Sequence, residues 1–108
     1  MNRGIAARCL AELGNLTRLD IYRLLVRAGP AGLNVGEIQT RLDVPASTLA
    51  FHLRGLINVG LLAQEKVGRE VRCTVKHRQL TSVMDFLLDE CCKGFEQVRS
   101  GATRRRAA

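Results

Sequence analysis

The side chains with the most distinctive chemistry in this sequence are its four cysteines, Cys9, Cys73, Cys91 and Cys92. Two of them are adjacent, in the stretch LLDECCKG at 87–94. Thiolates bind soft ions and have little affinity for hard ones. Neighbouring Cα atoms are ~3.8 Å apart, so two sulfurs can close on one small ion if their side chains turn together. On a regular helix successive side chains diverge by about 100°, so such closure requires the turn near Gly94 to loosen. The competing role is packing, because free cysteine also behaves as a small hydrophobe. No other cysteine stands at C-x-x-C spacing from this pair.

A second set of residues suits an anionic polymer. The stretch PASTLAFHLRGLINVG presents Ser47, Thr48, Ala50, Phe51 and Arg54 on one side if Leu49, Leu53, Leu56 and Ile57 are buried on the other. Hydroxyls near a helix start bond phosphates or base edges, and arginine does either. His52 lies on the border between the two sides and is a candidate contact or a packed imidazole. Arg69 and Arg72 lie in and after the turn that follows, and Gln39 and Thr40 lie on the preceding segment. The formal charge of +7 and the pI near 10.1 agree with a nucleic-acid partner.

Several classes are disfavoured. There is no Ser-His-Asp set, phosphate-cradling glycine loop or metal triad, so an enzyme is not expected. No run of 18 apolar residues exists, and the N-terminus lacks the apolar core of a signal peptide. A cytoplasmic protein with reduced thiols and no membrane partner is expected.

The elements that must position these residues follow from periodicity. One domain is expected over 1–98 and a basic disordered tail over 99–108. Aromatics are only 4%, with no Trp, so the core must be aliphatic. IAARCLAEL reads as a first helix stopped by Gly14. In NLTRLDIYRLLVRAGP, Leu16, Leu19, Ile21, Leu24, Leu25 and Ala28 form an apolar side ending at Gly29-Pro30. Asn34 caps a short third helix with Val35, Ile38 and Leu42 inside. Pro45 opens the fourth. LLAQEKV and EVRCTVK flank Gly68-Arg69 as a two-stranded hairpin, with Val71, Cys73 and Val75 inward. The last segment carries a stripe of Leu80, Met84, Leu87, Leu88, Cys91, Phe95 and Val98. It spans 19 residues, roughly 28 Å as a helix, which exceeds the needs of one small core and points to a twin subunit. Cys91 belongs to this stripe and Cys92 does not. The fold class is mainly α with a two-stranded β wing: a winged helix-turn-helix dimerising through its first and last helices.

The pieces LTRLDIYRLL, VGEIQTRLDVPASTLAFHLRGL, VGLL and VGREV, in order over about 11–76, resemble the ArsR family of bacterial winged-helix repressors. The resemblance implies a homodimer, double-stranded operator DNA with two-fold character, and release by an inducer. The family's Cys-x-Cys site ahead of the recognition helix is absent here, and the last helix has Asp85 and Asp89 but no histidine for a zinc site. DFLLDECCKG is similar to the ending of members that bind trivalent arsenic through adjacent cysteines. The resemblance thus implies arsenite, antimonite or methylarsenite at Cys91 and Cys92. Arsenite prefers three sulfurs, and no third cysteine follows the pair. Cys9, a small external thiol, or a methylated arsenical that needs only two sulfurs are the three ways to complete the site. The alternatives are a repressor that senses thiol oxidation and a constitutive DNA-binding protein.

Overall fold

The computed structural model describes residues 1–95; the end of the expected domain at 96–98 and the expected basic tail at 99–108 lie outside them. Five α-helices and three strands are present among the described residues. Helix α1 (Arg3–Leu13) starts at Asn2, whose side chain accepts from the Ile5 N–H at 2.8 Å. Helix α2 (Leu16–Ala28) starts at Asn15 in the same way, on the Arg18 N–H at 3.0 Å. These bonds satisfy donors that a helix start leaves without intrahelical partners. Helix α3 (Val35–Leu42) opens on a reciprocal capping box. The Asn34 side chain accepts from the Glu37 N–H at 2.8 Å, and Glu37 accepts from the Asn34 N–H at 2.9 Å. Asp43, in the left-handed conformation at φ 52°, ends α3, and helix α4 (Ala46–Asn58) follows Pro45.

The core is aliphatic. Ile21, Leu25, Ile38, Leu49, Leu56, Leu61, Leu62 and Val83 are fully buried, with Cys9 and Cys73. Each large side chain of this kind contributes about 1.5–3 kcal/mol on burial. Cys73 is thus a core residue. In α2 the buried side is Ile21, Tyr22 and Leu25, whereas Leu16 and Leu19 are exposed among the described residues.

The two-stranded wing is part of a three-stranded sheet. Strands β2 (Leu62–Val67) and β3 (Glu70–Val75) form the expected antiparallel hairpin about Gly68-Arg69. A further strand, β1 (Leu33–Asn34), pairs with the other edge of β3, with Leu33 opposite Cys73. Two residues are too few to show alternation in sequence. The inward side of β3 is buried only at Cys73; Val75 is half-buried, and Val71 is exposed near the hairpin tip.

The turn that delivers β1 sets a stringent backbone requirement. Gly32 has φ 65° and ψ −168°, a region that only glycine adopts without strain. A Cβ there would overlap the Cys73 carbonyl oxygen and come within 2.7 Å of Thr74 Cγ2. Gly32→Ala is expected to lower stability by about 2–3 kcal/mol. Urea unfolding checks this as a fall in midpoint of about 1–2 M.

The last helix is shorter than its apolar stripe. Helix α5 (His77–Leu88) buries Val83 and half-buries Leu80, while Met84, Leu87 and Leu88 remain exposed. After Leu88 the backbone changes to tight turns, with Cys91 N–H donating to Leu88 O at 2.9 Å and Lys93 N–H to Glu90 O at 3.3 Å. Cys91 and Phe95 therefore do not continue a helical stripe, and Val98 lies outside the described residues. Cys91 is exposed, so it is not core filler in this chain.

Candidate functional site

Helix α4 buries Leu49, Leu53 and Leu56 at helical spacing and turns Ser47, Thr48, Phe51 and Arg54 to solvent. Phe51 is 61% exposed. Pro45 makes no side-chain cap bond, so the first turn of α4 presents backbone N–H groups that an anion can accept. On α3 Thr40 is exposed and Gln39 half-buried. Arg69 is exposed in the two-residue turn of the β2–β3 hairpin, beside Gly68 at φ 63°. The fold thus brings a helix start, an exposed aromatic and the cations Arg54 and Arg69 onto exposed parts of α4 and the wing.

Three expected contact residues are placed differently. Ala50 is half-buried, which reduces it to a margin of the face. His52 is 9% exposed and its Nδ1 lies 3.1 Å from Arg18 Nη1, so it faces α2 and not a nucleic acid. Burial lowers the basicity of His52, the Arg18 charge lowers it further, and Glu12 opposes both. Arg72 is half-buried and already engaged. Its Nη1 donates to the carbonyls of Ala31 at 3.1 Å and Gly32 at 3.4 Å, and its Nη2 pairs with Glu70 at 3.1 Å. It clamps the turn before β1, so it is not a free phosphate contact.

Arg18 and Glu12 are the residues that sequence reasoning missed. Arg18 Nε donates to the Glu12 carbonyl at 2.6 Å and pairs with the Glu12 carboxylate at 3.2 Å. The available signal was the border position of His52, which requires a polar partner once it is buried.

The cysteine pair sits in the turns after α5. Both thiols are free and exposed, and their Sγ atoms are 3.2 Å apart. The backbone explains why they converge. Cys92 has φ 65°, a left-handed conformation uncommon for a side chain of this kind. It swings the second sulfur back toward the first, where a continuing helix would separate them. At an ion–sulfur distance of about 2.3 Å, typical of thiolate-bound metal ions, a 3.2 Å sulfur separation closes to roughly 90° at the ion. The hydrogen bond shared with Cys92 raises the Cys91 thiol above its ordinary range. Binding of a thiophilic ion here therefore displaces protons.

Cys9 is not brought to this pair within one chain. Its thiol is fully buried, donates to the Val59 carbonyl at 3.4 Å and accepts from Gln79 Nε2 at 3.6 Å. Gln79 also donates to Val59 O at 2.7 Å, so Cys9 helps join α1, the end of α4 and α5. No group of three or more His, Cys, Asp or Glu side chains is arranged to hold a metal among the described residues. No helix among them is long and apolar enough to cross a membrane.

Comparison with known proteins agrees with this geometry. A family model described as a helix-turn-helix domain matches residues 13–65. No curated protein matches the chain. Among solved structures, an ArsR-like transcriptional regulator from Rhodococcus sp. RHA1 is 30% identical, with a TM-score of 0.75 over 83% of this chain and 82% of that one. HlyU from Vibrio cholerae N16961 is 28% identical, with a TM-score of 0.66 over 85% of this chain and 99% of that one. The homodimeric winged helix-turn-helix DNA-binding domain Mb0332 from Mycobacterium bovis shares the fold, at 22% identity and a TM-score of 0.64 over 87% of this chain and 88% of that one. With the recognition helix, the wing and the 30% identical relative in agreement, the chain belongs to the ArsR family of winged helix-turn-helix transcriptional regulators.

Proposed function

We propose that this regulator is a cytoplasmic homodimeric repressor that leaves its operator when a trivalent arsenical, or antimonite, bridges Cys91 and Cys92. The observation that carries the inducer is the pair of exposed free thiols with sulfurs 3.2 Å apart. Soft trivalent ions take thiolate ligands, and this arrangement offers two of them at one point. The arrangement has no third cysteine from the same chain, which favours a methylated arsenical over inorganic arsenite. Dimerisation is supported by the exposed apolar residues of α5 and by the homodimeric state of Mb0332. The pair directly follows α5, so an ion bound there acts at the edge of the dimer interface.

DNA is read by the outer face of α4, with the wing at its side. Arg69→Ala removes one phosphate contact per subunit, two per dimer. The slope of log affinity against log salt is then expected to become shallower by about 1.8, with binding weakened on every sequence alike. Fluorescence anisotropy over a salt series measures it.

One observation favours a second reading. The relatives include a structure described as reduced HlyU from Vibrio cholerae, at 27% identity. An exposed thiol pair this close also suits an oxidation signal. Release of operator DNA distinguishes the two. Arsenite, methylarsenite, antimonite, Zn²⁺ and peroxide are each titrated into the complex. Release by an arsenical under reducing conditions supports the ion sensor. Release by peroxide alone replaces it with the redox sensor, and release by none leaves a constitutive DNA-binding protein.

A further inference from the structure

The Glu12–Arg18–His52 cluster joins three helices behind the DNA-reading face. Arg18 on α2 holds Glu12 on α1 through both the carbonyl and the carboxylate, at 2.6 and 3.2 Å. The same guanidinium reaches His52 Nδ1 on α4 at 3.1 Å. Arginine has only donors, so Nδ1 must accept, and the imidazole is neutral with its proton on Nε2. The cluster is fitted closely to α4: a Cβ at Gly55 would overlap the Glu12 carboxylate. A cleft of about 380 Å³ opens beside it, lined by Glu12, Arg18, Phe51, Arg54, Gly55 and Asn58. Phe51 and Arg54 belong to the outer face of α4, and the Phe51 ring meets the His52 ring edge-on at 5.6 Å between centroids. Whatever moves His52 therefore moves the outer face of α4.

We propose that Glu12 and Arg18 are positioning residues for DNA recognition, which set the α4 helix by holding His52 as a neutral acceptor, so that operator binding falls when His52 is protonated. The inference rests on α4 being the recognition helix. A proton on Nδ1 removes the acceptor and places a second cation against Arg18 in a site that is largely out of water. The groups facing the imidazole are Glu12 from α1 and Arg18 from α2. The third element against α4, β2, keeps its charged Glu65 and Lys66 exposed at the wing. Burial and Arg18 both disfavour the imidazolium, and Glu12 only partly offsets them. The sign follows. The unfolded chain takes up the proton first, so this contribution is complete above the ordinary histidine value of about 6.5 and is lost as pH falls below it.

The test compares wild type, His52→Gln and His52→Leu on a labelled duplex that the wild-type protein selects from a random pool. Affinities are read at about pH 8 and about pH 5.5, which bracket histidine titration. Wild type is expected to weaken about tenfold on acidification, and His52→Gln, whose amide oxygen accepts from Arg18 at either pH, less than about threefold. His52→Leu cannot accept and is expected to bind about tenfold less tightly than His52→Gln at the higher pH. His77, the other histidine, is present in all three proteins and cancels. Equal acid responses of wild type and His52→Gln would falsify the proposal, as would equal binding by the Gln and Leu variants at high pH. Nitrogen NMR of the free protein gives a check without DNA: an Nδ1–H tautomer at His52 overturns the arrangement. Loss of the wild-type binding at high pH in Arg54→Ala reports on the DNA-reading role of α4, and the ratios report on the cluster.

Discussion

Cys92→Ser raises the concentration of methylarsenite needed for half-release of operator DNA by at least about 100-fold. That factor corresponds to about 2.8 kcal/mol, a modest share of what thiolate ligation of a metal contributes in small domains. The argument is geometric. The two sulfurs lie 3.2 Å apart, with Cys92 at φ 65°, a separation that would let them chelate one ion. Serine preserves the backbone and the size of the side chain but offers a hard oxygen in place of a soft thiolate, and the chelate becomes a single bond. Cys91→Ser has the same effect for the same reason. Cys9→Ser behaves differently. Its thiol is bonded to Val59 and Gln79 inside the protein, and a hydroxyl retains both bonds, so the inducer response is expected to stay within about threefold of wild type. Methylarsenite should also act at lower concentration than arsenite, which has to find a third sulfur outside the chain. An unaltered response in Cys92→Ser ends the two-thiol site. A blunted response in Cys9→Ser shows that Cys9 reaches the ion after all.

Residues whose roles are local were legible in the sequence, and residues whose roles depend on distant contacts were not. Asn34, Pro45 and Gly68-Arg69 each act within a few positions of themselves, so the N-cap of α3, the start of α4 and the hairpin turn could be placed from spacing. The outward set Ser47, Thr48, Phe51 and Arg54 follows from one helical period. His52 needed a partner 34 residues away, which periodicity does not supply. Arg72 looked like a free cation because the carbonyls that claim it, at Ala31 and Gly32, are brought to it by a strand only two residues long. The apolar period of the last segment continues to Val98, but α5 stops at Leu88. Period reports which residues share a face if the helix persists, and the unwinding beyond Leu88 leaves the cysteines in turns. The same error explains the thiol pair: a helix would have splayed the sulfurs, and the turn converges them.

Leu87→Asp with Leu88→Asp is expected to convert the proposed dimer to a monomer and to weaken operator binding by about 10²–10⁴-fold. The two leucines are 56% and 63% exposed, and with Met84 they follow an i, i+3, i+4 pattern on α5. Half-buried Leu80 continues that line toward the core. A row of this kind on a small domain marks a partner surface, and a two-fold interface uses the same patch of both subunits, so both copies of each leucine enter it. Four carboxylates are then forced into one apolar seam, where each loses water without gaining a cation. Within one chain the same positions are in solvent, so the helical circular dichroism of the variant should match wild type. The loss of affinity is expected because each subunit of the proposed dimer would read one half-site, and half-sites one helical turn apart reward two linked recognition helices far more than one. Sedimentation velocity gives the mass, and anisotropy gives the affinity. A variant that remains dimeric moves the interface away from α5, and the exposed Leu16 and Leu19 at the start of α2 become the surface to test. In that event the cysteine pair no longer borders the seam, and arsenical binding must reach α4 through the packing of α5 on α1, where Gln79 bonds to Cys9 and Val59.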